Sequence, residues 1–389
     1  MNTTQRGIIT LLKSAVTEQA LELPAGFDLQ AAYPLLKRHH MATLVYDGAS
    51  RCGIDSKLPE MQKLFQSYIR LLMISERQMS KVKQVQEAFD LAGIDYMPLK
   101  GCTMKARYPK PELRVMGDAD ILIRLEQYER IIPILKSLGF QEKLESHHEL
   151  VWVCDDLYLE LHKYLMPTYN KDFFQYFGDG WKLAKLYSGS CYTMTAEDRM
   201  VYLFTHFAKH FRDGGIGCRH VLDLWVYLRS EPKMNEAYVQ SELNRLGLLK
   251  FYRHIRELLD VWFEDASDSP MSDFLTDAVF ASGSFGELDS RVISRAVRDK
   301  KHSPLGVNSR LLYLWQTAFP SVLILKDKYT VLKKAPWLLP VIWLIRPFYK
   351  LLFERDSLKF QEQNLQALSE DRVAARREVL HEIGLDYNF

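Results

Sequence analysis

The chain has 389 residues, 47% of them hydrophobic and 26% charged, which supports folded domains with a sizeable core and excludes an intrinsically disordered chain. Lys and Arg number 51 against 49 Asp and Glu, so no overall field advertises a long nucleic acid, and any anion must be gripped locally. Cys52, Cys102, Cys154, Cys191 and Cys218 lie far apart without a paired metal or disulfide spacing, which fits a reducing cytoplasm.

The opening MNTTQRGIITLLKSAVTEQALEL breaks its apolar run at Lys13 and Glu18, a pattern that predicts an amphipathic helix rather than a secretion signal. Apolar residues recur at helical spacing over 5–46 and again over 58–92, with Gly93 as the stop, so residues 1–93 form a helical N-terminal region. The period then changes. Residues 94–99 make a short apolar strand, 103–107 one or two helical turns and 118–123 a second strand, followed by a helix over 127–138 that ends at Gly139. Further strands are expected at 140–144, 149–154 and 157–165, the last two joined by a tight turn at Asp155-Asp156. Beyond Pro167 the pattern is helical to the end, notably over 196–211 and 219–228. The expected fold class is α+β, with a mixed-sheet core over 94–167 between the helical region 1–93 and a helical C-terminal region 168–389.

The stretch LKGCTMKARYPKPELRVMGDADILI, residues 99–123, carries the chemistry. Side chains alternate along a strand, so Asp118 and Asp120 share one face while Ala119, Ile121 and Ile123 take the other. Adjacent carboxylates repel, and a divalent cation relieves the repulsion; Mg²⁺ or Mn²⁺ suits hard oxygen ligands when a substrate phosphate completes the shell. The strand over 157–165 repeats the pattern, with Leu157, Leu159 and Leu161 on the core side and Tyr158, Glu160 and His162 opposite. If it lies beside the Asp118 strand, Asp118, Asp120 and Glu160 converge as the ligands of two-metal phosphoryl transfer. Glu160 could also take a proton from an attacking hydroxyl. Lys100-Gly101 sits where a strand gives way to a helix, so free backbone N–H groups, with Lys105, Arg107 and Arg114 nearby, could receive a triphosphate.

This assembly resembles the polymerase-beta-type nucleotidyltransferase superfamily, whose signature is a Gly-containing strand-to-helix turn, an Asp-x-Asp strand and a later acid between apolar residues. Here these are Lys100-Gly101, Gly117-Asp118-Ala119-Asp120-Ile121 and Leu159-Glu160-Leu161. More narrowly, PLKG, YPKPELRVMGDADILI and LELH resemble a poorly characterised bacterial family of nucleotidyltransferases, in which the chain continues into a helical region. The resemblance runs over residues 98–165 and, more weakly, into the helical stretch with His206, His210 and Asp223. It implies Mg²⁺- or Mn²⁺-dependent transfer of a nucleoside monophosphate from an NTP to a hydroxyl acceptor, with release of pyrophosphate. Asp118, Asp120 and Glu160 would be the catalytic metal ligands, and Lys100, Gly101, Thr103, Arg114 and Gly117 would hold the nucleotide. Where the superfamily commonly has Gly-Ser, this chain has Lys-Gly, and the resemblance implies that Lys100 or Thr103 would take the place of the serine.

His162, His206, Lys209, His210, Arg219 and Asp223 are candidates to face the substrate. His206 and His210 stand one helical turn apart, but Phe207 occupies the position where a zinc-protease motif needs Glu, so zinc is not expected. The alternative function is a non-catalytic nucleotide-binding or regulatory protein of the same fold, including one that works at a membrane surface. In KKAPWLLPVIWLIRPFYKLLFERD the uninterrupted uncharged run covers only 335–345, too short to cross a bilayer. Trp337 and Trp343, flanked by Lys333, Lys334, Arg346 and Lys350, could bring residues 331–353 onto a membrane, but the preferred expectation is burial against the helical region.

Overall fold

The computed structural model describes residues 1–145, 149–283, 288–300, 308–325, 329, 331–353, 361–366 and 368–387. The N-terminal region consists of helices α1 (Thr3–Thr17), α2 (Leu29–Arg38), α3 (Ala42–Arg51) and α4 (Pro59–Ala92). Helix α4 starts with Pro59 in its first turn and Glu60 near the positive end, and stops at Gly93, whose φ of 61° places it in the left-handed region. A seven-stranded mixed sheet follows, built from β1 (Tyr96–Pro98), β2 (Asp118–Ile123), β3 (Gln141–Glu145), β4 (Glu149–Cys154), β5 (Leu157–His162), β6 (Lys185–Ser188) and β7 (Cys191–Thr193) in the order β3-β4-β5-β2-β1-β7-β6. The pairs β2–β5 and β1–β7 are parallel and the others antiparallel. Between β1 and β2 lies the short helix α5 (Lys100–Met104), and between β2 and β3 lies α6 (Tyr128–Ser137).

One face of the sheet is covered by Val82, Val85 and Phe89 of α4 and by Ile131 and Leu135 of α6. They pack on Ala119, Ile121 and Ile123 of β2 and Leu157, Leu159 and Leu161 of β5, the apolar half of each alternating strand. Burying each such aliphatic side chain contributes about 1.5–3 kcal/mol. A one-residue slip of β2 would put Asp118, Asp120 and Leu122 in place of Ala119, Ile121 and Ile123 against that core, so the register is strongly specified. The β4–β5 hairpin turns on Asp155-Asp156, with Asp155 at a φ of 51°, a left-handed conformation that Asp tolerates better than most residues.

The structure departs from the sequence reading after Pro167. Helices α7 (Lys171–Phe177), α8 (Ala196–Asp213) and α9 (Cys218–Ser230) are present, but β6 and β7 intervene and extend the sheet beyond 94–167, with Tyr96 opposite Cys191. These strands span four and three residues and no position in them is fully buried, so they leave no hydrophobic period to detect.

The chain forms two compact units, one of Met1–Lys209 with Ile216–Ser284 and the other of His210–Gly215 with Phe285–Tyr387. The sheet belongs to the first. The second contains the helices Ser309–Ala318, Leu339–Phe353 and Glu370–Ile383. The expectation that residues 331–353 are buried is corrected by this unit: Trp337 is exposed and Trp343 only half-buried, because the apolar stripe of helix Leu339–Phe353 faces solvent. Among the described residues, no helix is long and apolar enough to cross a membrane.

Candidate active site

The polar face of the sheet is assembled by the parallel pairing of β2 with β5, in the register Asp118↔Tyr158, Asp120↔Glu160 and Leu122↔His162. Ligand atoms of Asp120, Glu160 and His162 lie within 4.8 Å of one another. Asp120 is only 2% exposed, and its Oδ1 accepts from Lys100 Nζ at 2.6 Å and from His162 Nε2 at 2.7 Å. The same imidazole nitrogen lies 3.6 Å from Glu160 Oε2, so it faces two carboxylates and is best assigned as the protonated one.

These contacts set the charges. Burial alone would raise the Asp120 pKa, but the Lys100 ammonium and the His162 hydrogen bond outweigh it and hold the carboxyl well below the usual range. Burial opposes the Lys100 charge, yet Asp120 keeps that ammonium protonated far above its ordinary value. For His162, burial and Lys100 push downward, while the hydrogen bonds to Asp120 and Glu160 prevail and raise the pKa. Lys100 itself sits at a φ of 37°, uncommon for a residue with a side chain, and its ion pair holds it there. The cation that compensates the buried aspartate therefore comes from the turn twenty residues upstream.

Asp118 lies two residues along on the same strand face, outside the group formed by Asp120, Glu160 and His162. It is the more exposed aspartate. Lost hydration in the cleft, followed by repulsion from Asp120 and Glu160, raises its pKa to about 6 against the attraction of Lys100 and Arg219.

The cations expected to receive phosphate are mostly engaged in the fold. Arg114 donates through Nε and Nη2 to the two oxygens of Asp223, both at 2.9 Å, and the Tyr108 hydroxyl donates to Asp223 Oδ1 at 2.7 Å. Asp223, expected to face a substrate, instead has both oxygens taken by an ion pair that ties β2's approach to α9. Arg114 Nη1 points the other way, over Gly101, where an added Cβ would come within 3.1 Å of it. The glycine of the turn thus makes room for this guanidinium. Arg219 donates to the Val115 carbonyl at 3.1 Å. Lys105 is buried between Ser75 Oγ and the Arg114 carbonyl, both at 2.8 Å, and burial followed by the Arg114 charge pushes its pKa down to about 8. Arg107 pairs with Glu231 and stacks 4.8 Å above Tyr227. The Thr103 hydroxyl donates to the Lys100 carbonyl at 3.0 Å, and Gly117 is exposed with open space around it.

On α8, His206 is half-buried with its ring 6.3 Å from that of Tyr202, Lys209 is buried, and His210 belongs to the second compact unit. Tyr202 was not singled out by the sequence. It is 1% exposed, its hydroxyl has no hydrogen-bond partner among the described residues, and it lies within the electrostatic reach of Lys100, Asp120 and Glu160. An unpaired buried hydroxyl costs about 1–3 kcal/mol, which a polar ligand beside Lys100 would recover. Its spacing of four residues before His206 was the available signal, hidden by the many aromatics of the same helix.

A mixed sheet with carboxylates on two parallel neighbours, beside a strand-to-helix turn carrying a lysine, has the architecture of a nucleotidyltransferase core. A family model described as "Uncharacterised nucleotidyltransferase" matches residues 25–264, more than half of the chain, and the chain belongs to that family. Among curated proteins none matches. A solved structure similar to this chain is the solution structure of the antibiotic-resistance factor ANT(2'')-Ia, at 14% identity and a TM-score of 0.34, covering 46% of this chain and 98% of that one.

Proposed function

We propose that this protein transfers a nucleoside monophosphate from an NTP to a hydroxyl-bearing acceptor and releases pyrophosphate, with Mg²⁺ or Mn²⁺ held by Asp118, Asp120 and Glu160. The observation that carries the reading is the in-register pairing of Asp120 with Glu160 beside Lys100. The donor set fits a divalent cation: the Asp120 and Glu160 carboxylates come within 4.8 Å of each other, the Asp118 carboxylate follows on the same face, and the unpartnered Tyr202 hydroxyl marks room for a polar ligand. When bound, the cation would neutralise phosphate charge and orient the transferring group.

The chain's own residues do the rest. His162 orients Asp120 through Nε2 and keeps it ionised. Lys100 and Nη1 of Arg114 offer the positive charge nearest the turn, and their side chains are already fixed by Asp120 and Asp223, so little ordering entropy is lost on binding phosphate. Glu160, less buried than Asp120, would accept the acceptor's proton; its greater exposure on the polar face of the sheet supports this reading.

The test is a screen of the four NTPs with Mg²⁺ or Mn²⁺ for pyrophosphate release, with cell extract as the source of acceptors. At least one combination should release pyrophosphate, and Glu160→Gln should lower the rate by about 100-fold or more while leaving the melting temperature near that of the wild type. Metal-dependent nucleotide binding without release above the Glu160→Gln background would favour the non-catalytic alternative.

A further inference from the structure

In the second compact unit, helix Leu339–Phe353 presents Val341, Leu344, Ile345, Phe348 and Tyr349 to solvent. Their spacing of three and four is that of a single apolar stripe, the face a globular helix normally turns to its core. Here Leu344 is 73% and Phe348 69% exposed, and Trp337, just before the helix, is 76% exposed. The neighbouring helix Ser309–Ala318 continues the surface with Leu311, Leu314 and Trp315, all exposed. The two helices are joined by the Phe319–Trp343 ring contact at 5.2 Å and by Trp343 Nε1 donating to the Pro320 carbonyl at 2.9 Å. Arg346 also donates to the Thr317 carbonyl at 2.6 Å, so the apolar surface is fixed in place. Contiguous exposed apolar surface of this kind marks an interaction site.

Charge selects the partner. Residues 309–353 contain Arg310, Lys326, Lys328, Lys333, Lys334, Arg346 and Lys350 against one acid, Asp327, whereas the whole chain is close to neutral at +2. Helix Leu339–Phe353 itself contains no acidic residue. A second copy of the chain would bring the same positive charge to the contact and be repelled. A surface that is apolar within and negatively charged at its boundary suits both halves of the pattern, and tryptophan is favoured at such a boundary.

We propose that this face docks the protein on an anionic lipid bilayer, with the stripe of helix Leu339–Phe353 and Trp337 entering the headgroup region and Arg310, Lys334 and Arg346 contacting lipid phosphates. The attachment is to one leaflet, since the helix is too short and too interrupted to span. The inference stands apart from the nucleotidyl transfer proposed above and survives if that fails.

The test uses the full chain in sedimentation with vesicles of phosphatidylcholine alone and of phosphatidylcholine with about one-third phosphatidylglycerol. The wild type should bind the anionic vesicles about tenfold more than the neutral ones and lose that preference at high salt. The double substitution Leu344→Glu and Phe348→Glu should abolish binding. Because both side chains are largely exposed, it should leave the thermal melt unchanged. If the double variant nevertheless unfolds, Lys334→Glu at an exposed position should weaken anionic binding alone, accompanied by a smaller vesicle-induced blue shift of tryptophan fluorescence. Wild-type protein that stays in the supernatant with anionic vesicles, as a monomer or as a self-associated species, overturns the proposal; so does equal binding by the wild type and the folded variants.

Discussion

Replacing Asp120 by Asn removes the charge at the centre of the site with almost no change of shape. In the wild type the Asp120 carboxylate is 2% exposed and one oxygen accepts from both Lys100 and His162. Breaking a buried ion pair from one side costs about 3–5 kcal/mol, because the remaining charge is left in a poorly hydrated place. The amide oxygen of Asn still accepts one hydrogen bond with a net value of about 1 kcal/mol, so a loss of about 2–4 kcal/mol is expected. Urea unfolding at pH 7 with a chelator present measures it. A cycle with Lys100→Met isolates the pair: the double variant should be more stable than the sum of the single losses predicts, by at least about 1 kcal/mol. The sign with pH also follows. Asp120 has a depressed pKa in the fold, so its stabilisation is present above the ordinary value of 3.8 and is lost as the pH falls below it. The variant should lack that acid-dependent loss. An Asp120→Asn protein as stable as the wild type, with no coupling to Lys100→Met, would refute the reasoning and return the site to two carboxylates awaiting a metal.

Asp118→Asn should behave in the opposite way. Its folded pKa of about 6 lies above 3.8, so the aspartate's contribution is most favourable below pH 3.8 and is lost as the pH rises through 6. The variant should therefore be more stable than the wild type above pH 6, by less than about 1 kcal/mol because the side chain is exposed, and the gain should vanish near pH 4 in a chelator-treated pH series. Arg114→Ala should destabilise by about 3–5 kcal/mol in urea, since it leaves the Asp223 carboxylate buried against Tyr108 without its bidentate partner. Unchanged stability with weaker nucleotide binding would instead mark Arg114 as a free phosphate ligand. Tyr202→Phe deletes an unpartnered buried hydroxyl and should leave stability unchanged or raise it by about 1 kcal/mol, while weakening NTP binding in calorimetry; a clear loss of stability would mean the hydroxyl is already satisfied.

Local order could be read from the chain alone. The apolar alternation of Ala119, Ile121 and Ile123 against Asp118 and Asp120, and of Leu157, Leu159 and Leu161 against Glu160 and His162, fixes which face each residue takes, because a strand has a period of two. Pro59 and Gly93 likewise mark the ends of a 34-residue helix through their own backbone preferences. Strand order was a different matter. Only the assembled sheet makes β2 and β5 parallel neighbours and puts Asp120 opposite Glu160, since nothing in either strand alone distinguishes one partner from another. Partner choice among charges was equally hidden. Lys100, Lys105, Arg107 and Arg114 are near neighbours in sequence, yet one holds Asp120, one is buried under Ser75, and the others are committed to Glu231 and Asp223, because each side chain pairs with whatever the fold brings within a few ångströms. The amino-acid pattern by itself thus determined the elements and their faces, through periodicity and local backbone preference. Tertiary structure decided which carboxylates meet and which partner each cation takes, because ion pairing in a desolvated interior depends on distances that sequence separation does not encode.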